Sequence, residues 1–188
     1  MTVDSPKAKR SCCKTVLFAV GGLFVLLLIL IGMQPNDFRV TRSVTIAAPV
    51  GVVFPLVNQP QRFHEWNPWA KVDPKAKTSF EGPKAGKGSV MRWEGNNEVG
   101  AGSMTNIETK PNAFLKFQMD FLKPMKATNM AEFTFRPEGR STQVTWTMYG
   151  NNNFIGKAMG LLFNCDKMVG DQFEKGLEGL KAKAEGRA

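Results

Sequence analysis

Apolar and polar positions are spaced in three different ways along this chain, and each spacing predicts a different kind of element. From Val16 to Met33 there is no alternation at all: eighteen residues pass without a charge. A helix of that length rises ~27 Å, close to the ~30 Å hydrocarbon core of a bilayer, so the segment predicts one transmembrane helix. From Phe38 to Ile46 the period shortens to two, with Phe38, Val40, Arg42, Val44 and Ile46 set against polar neighbours, which predicts a strand. Ala48-Pro49 then opens a short helix over Val50–Val57, in which Pro55 is expected to cause a break or kink. The aromatic cluster Phe63–Trp69 predicts a helical turn closed by Pro68.

Beyond it the period of two dominates. Strands are predicted at Thr78–Glu81, Gly88–Glu94, Gly102–Lys110, Asn112–Phe121, Thr128–Pro137 and Thr142–Gly150, separated by Gly, Pro and Asn clusters. Leu115, Phe117, Met119 and Phe121 share one face, as do Ala131, Phe133 and Phe135, and Val144, Trp146 and Met148. Lys116, Gln118, Asp120, Glu132, Thr134, Thr145 and Thr147 take the other, so the sheet has a dry face and a wet one. The period then lengthens to three or four through Ala158, Leu162, Cys165, Val169, Phe173, Leu177, Leu180 and Ala184, which predicts one long C-terminal helix on the dry face. Gly170 and Gly176 lie near its apolar stripe, where the helix either approaches the sheet closely or leaves space.

The expected organisation is a basic tail over residues 1–15, the transmembrane helix over 16–33, a linker over 34–37, one domain over 38–184 and a tail over 185–188. Lys7, Lys9, Arg10 and Lys14 precede the apolar run, and the first basic residues after it are Arg39 and Arg42. The positive-inside bias therefore holds the N-terminus in the cytoplasm and the domain on the periplasmic or extracellular side. A cleaved signal peptide is disfavoured, because the run exits through Leu30-Ile31-Gly32-Met33-Gln34-Pro35 and offers no small-x-small cleavage site.

Net charge is +9, of which residues 1–15 supply +3 through four basic side chains and one acidic, leaving +6 on the rest. That charge suits anionic head groups or acidic ligands, and equally the solvation of surface lysines. Nucleic acid is not an expected partner, since no helix-turn-helix, zinc-finger or aromatic-basic RNA signature is present. Cys12 and Cys13 are read as reduced thiols on the cytoplasmic side, with reversible acylation as the alternative. Cys165 is then the only cysteine of the domain, and no intramolecular disulfide is expected.

Catalytic devices are few. Gly82-Pro83-Lys84-Ala85-Gly86-Lys87-Gly88-Ser89 has the wrong spacing for a phosphate loop and leads into a strand, so it reads as a basic hairpin loop. One histidine and one cysteine do not make a zinc site, and no metal or cofactor is expected. His64 with Glu65 could act as a general acid/base pair; a structural histidine is the plainer reading.

Strand, helical segment, six strands and a long helix across the concave face is the order of a helix-grip fold, an α+β architecture with a seven-stranded antiparallel sheet wrapped around the C-terminal helix. Residue by residue, the chain resembles the polyketide cyclase/dehydratase-like branch of the START-like (SRPBCC) superfamily. The matching pieces are Arg42-Ser43 through Ala48-Pro49 with Val53-Phe54, Trp66-x-Pro68-Trp69, Trp93-x-Gly95-Asn96 with Val99-Gly100-x-Gly102, Val144-Thr145-Trp146 through Gly150, and Asp166 through Gly170 with Phe173 through Leu177. Pro55 within the first helix and Gln59-Pro60-Gln61 in place of an acidic turn depart from the pattern. The resemblance implies a cavity between sheet and helix for a hydrophobic or lipid-like small molecule. With it, Trp66, Trp69, Trp93, Phe117, Met119, Phe133, Trp146, Met148, Phe173 and Gly176 are expected to bind the ligand, the methionines as adaptable lining. The expected function is membrane-anchored ligand binding. A cyclase or dehydratase using His64 and pocket carboxylates is one alternative, and an envelope interaction or stress-sensing module is another.

Overall fold

A seven-stranded antiparallel sheet in the order β1-β7-β6-β5-β4-β3-β2 organises the chain. The computed structural model describes residues 7–152, 154–162 and 165–187, with side chains from Phe18 onward except those of residues 155, 159, 162 and 165. The chain divides into two compact units, residues 1–36 with 152–163, and residues 37–151 with 164–188.

The first unit holds α1 (Lys7–Gly32) and α5 (Phe154–Leu162), which contact each other. The Asn152 main-chain N–H donates to the Asn36 carbonyl at 2.7 Å. On α1, Phe18, Leu23 and Phe24 are exposed while Ile31 is buried. The helix covers the segment read as a membrane span; among the described residues, however, no helix is long and apolar enough to cross a membrane. Cys12 and Cys13 have side chains outside the described residues, as does Cys165.

The second unit holds the sheet: β1 (Asp37–Ile46), β2 (Lys77–Glu81), β3 (Val90–Glu94), β4 (Ala101–Lys110), β5 (Phe114–Lys123), β6 (Ala127–Glu138) and β7 (Ser141–Asn151). The predicted alternation sets its faces. Leu115, Phe117, Phe133, Phe135, Val144 and Trp146 are buried on the concave side, while Lys116 pairs with Glu132 at 3.2 Å on the other. Between β1 and β2 run α2 (Val50–Asn58), α3 (Pro60–Trp66) and α4 (Pro68–Val72).

One local expectation is corrected here and another is extended. Pro55 does not end α2, which continues to Asn58 with Val53, Phe54, Leu56 and Val57 buried. Burial of that apolar stripe holds the turn together although proline removes one N–H from it. The helical turn does close before Pro68, α3 ending at Trp66 with Asn67 as its cap, and Pro68 also opens a new helix: Asn67 accepts a hydrogen bond from the Trp69 N–H at 3.2 Å, and Pro68 occupies the first turn, where no N–H is needed.

Over the described residues the pattern from Ala158 to Ala184 covers the end of α5 and α6 (Cys165–Ala184), and α6 packs on the sheet, burying Phe173, Leu177 and Leu180. Arg42, projecting from β1, fixes the start of α6. Its Nη2 donates to Asp166 Oδ2 at 3.0 Å and its Nε to Glu174 Oε1 at 2.9 Å. Gly170 sits one helical turn between these carboxylates, and a Cβ there would collide with the guanidinium. At the far end the Ala47 main-chain N–H donates to Glu185 at 2.8 Å, tying the last residues of the chain to the loop after β1.

Candidate functional site

The concave face does not close completely against its helices. A cavity of about 100 Å³ remains between the sheet, α3, α4 and α6. Strands β2 to β7 contribute to it, through the alternation that buries the dry face of the sheet. Met91 and Trp93 come from β3, Met104 from β4, Met119 and Phe121 from β5, Ala131 and Phe133 from β6, and Trp146 and Met148 from β7. The helices supply Phe63, His64, Trp69 and Ala70, together with Phe173 from α6. Four methionines therefore stand in the wall, where flexible thioethers can change rotamer around a guest.

Polar groups are sparse. His64 of α3, Asn67 at its C-terminal cap and Thr78 of β2 are the polar side chains of the lining among the described residues, and none of those lining it is Lys, Arg, Asp or Glu. His64 also sets its ring edge-on to Phe80 with centroids 6.1 Å apart. Glu65, the next residue, points elsewhere and forms an ion pair with Lys183 of α6. The structure therefore does not bring His64 and Glu65 together as an acid/base pair at the cavity. Among the described residues no group of three or more His, Cys, Asp or Glu is placed to hold a metal.

Of the residues expected to bind ligand, Trp69, Trp93, Met119, Phe133, Trp146, Met148 and Phe173 stand in the wall. Three do not. Trp66 is buried beneath it, with its indole N–H donating to the Leu56 carbonyl at 2.8 Å. Phe117 is buried edge-on to Phe133, with centroids 6.1 Å apart. Gly176 lies where α6 comes closest to the aromatic cluster: a Cβ there would be 2.9 Å from Trp146 Cζ3 and 3.1 Å from Pro68 Cδ. The helix glycine thus permits close approach and leaves no space for a guest.

The wall also contains residues the sequence reading did not select. Met91 precedes Trp93 by two in β3 and shares its face, so the alternation already pointed to it. Met104 faces Met91 and Met119 across the register of β3, β4 and β5, a pairing no single strand reveals. Asn67 carried the signal of a cap before proline, which concealed its place on the cavity.

A family model described as polyketide cyclase / dehydrase and lipid transport matches residues 37–185. No curated protein matches the chain in sequence. Among solved structures, a protein of Thermobifida fusca superposes with a TM-score of 0.60 at 21% identity, covering 79% of this chain and 94% of its own. A protein of Chromobacterium violaceum gives 0.57 at 15% identity, with 81% and 99% covered. The Aha1 dimer of Colwellia psychrerythraea gives 0.54 at 15% identity, with 79% and 96% covered. At these identities the likeness is one of fold, and it supports the helix-grip architecture.

Proposed function

The chain belongs to the polyketide cyclase / dehydrase and lipid transport family, and we propose on that premise that its domain takes up an apolar or amphipathic small molecule in the cavity under α6. The observation that carries the reading is the wall itself, an apolar enclosure of aromatic rings and four methionines with three polar side chains. A hydrophobic cavity stays dry and binds apolar guests, because water gains too few hydrogen bonds inside it. Ligand pockets usually enclose ~300–1,000 Å³, so a guest of lipid size has to displace methionine side chains on entry. Their low rotamer barriers make that displacement inexpensive.

Membrane anchoring belongs to the same reading. It is supported by the uncharged run Val16–Met33 with four basic residues before it and by the exposure of Phe18, Leu23 and Phe24 on α1. A tethered domain meets ligands that partition into the bilayer at high local concentration. The orientation proposed has the N-terminus in the cytoplasm and the domain outside it. Alkaline carbonate washing should leave the full-length protein in the membrane fraction, and release into the wash would remove the anchor from the proposal.

The cavity is tested with a fluorescent fatty-acid probe and full-length protein. Saturable binding with a change in tryptophan emission is expected; absence of binding overturns the reading. A cyclase- or dehydratase-type reaction is the second reading, favoured by the presence of His64 in the wall, with Asn67 and Thr78 as its other polar side chains. Under the binding reading, His64→Gln keeps probe affinity within a few-fold. Turnover of a polyketide-type substrate, lost in that variant while folding is retained, would establish the enzyme instead.

A further inference from the structure

The hairpin between β5 and β6 ends in an apolar and basic tip. Every residue from Leu122 to Thr128 is exposed, and the stretch reads Leu-Lys-Pro-Met-Lys-Ala-Thr, without a carboxylate. Leu122 is 56% and Met125 40% exposed. Phe121 turns into the cavity wall, and Leu122, the next residue of β5, turns to the other face of the sheet. A shift in register beside Ala101 and Gly102 of β4 leaves Leu122 without a partner on that strand. On its own face it lines a groove with Lys77, Arg92 and Lys123, in which Glu94 is the one acidic side chain among the described lining residues. Arg92 pairs with Glu81 at 2.8 Å and Lys123 with Glu94 at 3.0 Å. With Lys126, groove and tip hold four cations against these two carboxylates.

Register fixes the end of the sheet at which this tip stands. Phe38 lies opposite Gly150, Gly150 opposite Asn129, and Asn129 opposite Met119, so one row crosses the sheet from the start of β1 to β5. The hairpin runs on past that row through Asp120, Phe121 and Leu122, roughly 10 Å along the strand. The chain enters β1 at Asp37, on the same side of the row. Only Gln34, Pro35 and Asn36 separate β1 from the uncharged run. At ~3.6 Å per residue that linker is too short for the Asp37 end of the sheet to lie far from a bilayer in which the run is seated.

We infer that the β5–β6 tip is a second lipid contact, in which Leu122 and Met125 enter the interface of an anionic bilayer while Lys123 and Lys126 meet its head groups. The inference rests on the anchoring reading for the nearness of the bilayer, and goes beyond it in naming the part of the domain that touches lipid. Apolar side chains flanked by lysines suit that interface, where buried apolar area and attraction to anionic lipid act together and the lysine stems lie along the apolar layer. A protein partner fits the tip less well, since two apolar side chains on one hairpin fall short of the desolvated centre that a stable interface needs.

Photo-cross-linking tests the contact. Full-length protein is reconstituted into vesicles of phosphatidylcholine with a minority of phosphatidylglycerol, carrying p-benzoylphenylalanine in place of Leu122, of Met125, or of the exposed Arg140 in the β6–β7 turn at the opposite end of the sheet. After irradiation, the intact protein mass should show lipid adducts at the first two positions and not at Arg140. Lys126→Glu should lower the adduct yield at position 122 several-fold, and an unchanged yield overturns the part given to the lysines. Equal adducts at all three positions, cross-links from the tip to another protein chain, or none at all overturn the inference. Retention of the same sample through alkaline carbonate then shows that the anchoring reading stands without it. If carbonate releases the protein, the anchoring reading fails, and irradiation after adding the protein to preformed vesicles decides the inference by itself: adducts confined to the tip sustain it, and their absence overturns it.

Discussion

Phe173 of α6 lies flat on Trp146 of β7, with ring centroids 3.9 Å apart and planes inclined by 6°. Trp146 in turn stacks on Phe133 of β6 at 4.9 Å and 27°. Three rings thus join the helix to two neighbouring strands, and all three also form part of the cavity wall. The contact that docks the helix is the surface a guest would touch, so stability and binding are coupled at these positions.

Phe173→Ala removes the helix end of that stack at a residue with no exposed surface. Loss of a buried ring with incomplete collapse around it costs ~3–5 kcal/mol. Denaturant unfolding of the full chain should show a lower midpoint with little change in slope. A loss below about 1 kcal/mol would mean that the stack does not hold α6 in place.

At Gly176 two effects compete. Leucine favours helix over glycine by up to ~1 kcal/mol, but its Cβ would lie 2.9 Å from Trp146 and 3.1 Å from Pro68, both rigid. Overpacking of that kind costs ~1–3 kcal/mol, so clash outweighs propensity. Gly176→Leu should lower the melting temperature, and an unchanged or higher one would show that space exists where the structure has contact.

The contrast between Gly176 and Phe133 marks what the sequence revealed. Period-two alternation placed Phe133, Trp146 and Met148 on one face without ambiguity, because in a strand the face depends only on parity. Whether a glycine on a helix faces a void or a tight contact depends on the distance between two elements, which no periodicity encodes. The same limit hid Met104, whose role comes from its register with Met91 and Met119. Parity places Trp146 on the dry face, but that its N–H finds no partner among the described residues depends on every neighbour at once.

Acid should weaken the docking of α6. Hydrogen bonding to the Arg42 guanidinium, with its charge adding to the effect, holds the Asp166 carboxyl below the usual aspartate range. A lowered folded-state value means the unfolded chain binds protons more readily, so this contribution is fully present above about pH 4 and fades as pH falls through the depressed value. Glu185, lowered chiefly by the Ala47 N–H, and Glu94, lowered chiefly by Lys123, act in the same direction. Asp166→Asn should therefore flatten part, and not all, of the stability loss between pH 5 and the acid limit. Parallel curves for variant and wild type would mean the Arg42 contact contributes nothing to that dependence.

The cavity's modest volume makes its methionines the place where binding and packing oppose each other most directly. Met119 is half-buried in the wall and lies opposite Met104 in the β4–β5 register. A probe larger than the resting cavity must displace its thioether, and the energy of that displacement is subtracted from the observed affinity. Met119→Ala removes the obstacle in advance. Truncating a core methionine costs ~2–5 kcal/mol, and partial exposure should hold the loss near the lower end. Affinity for a fluorescent fatty-acid probe should rise several-fold at the same time, because the space is already open. Met119→Ile keeps the apolar character but stiffens the side chain at χ1, so it should weaken binding with a smaller loss of stability. Opposite movements of affinity in the two variants are the signature of a wall that yields to its guest. If both bind the probe as the wild type does, the methionines are ordinary packing and the guest must fit the resting cavity.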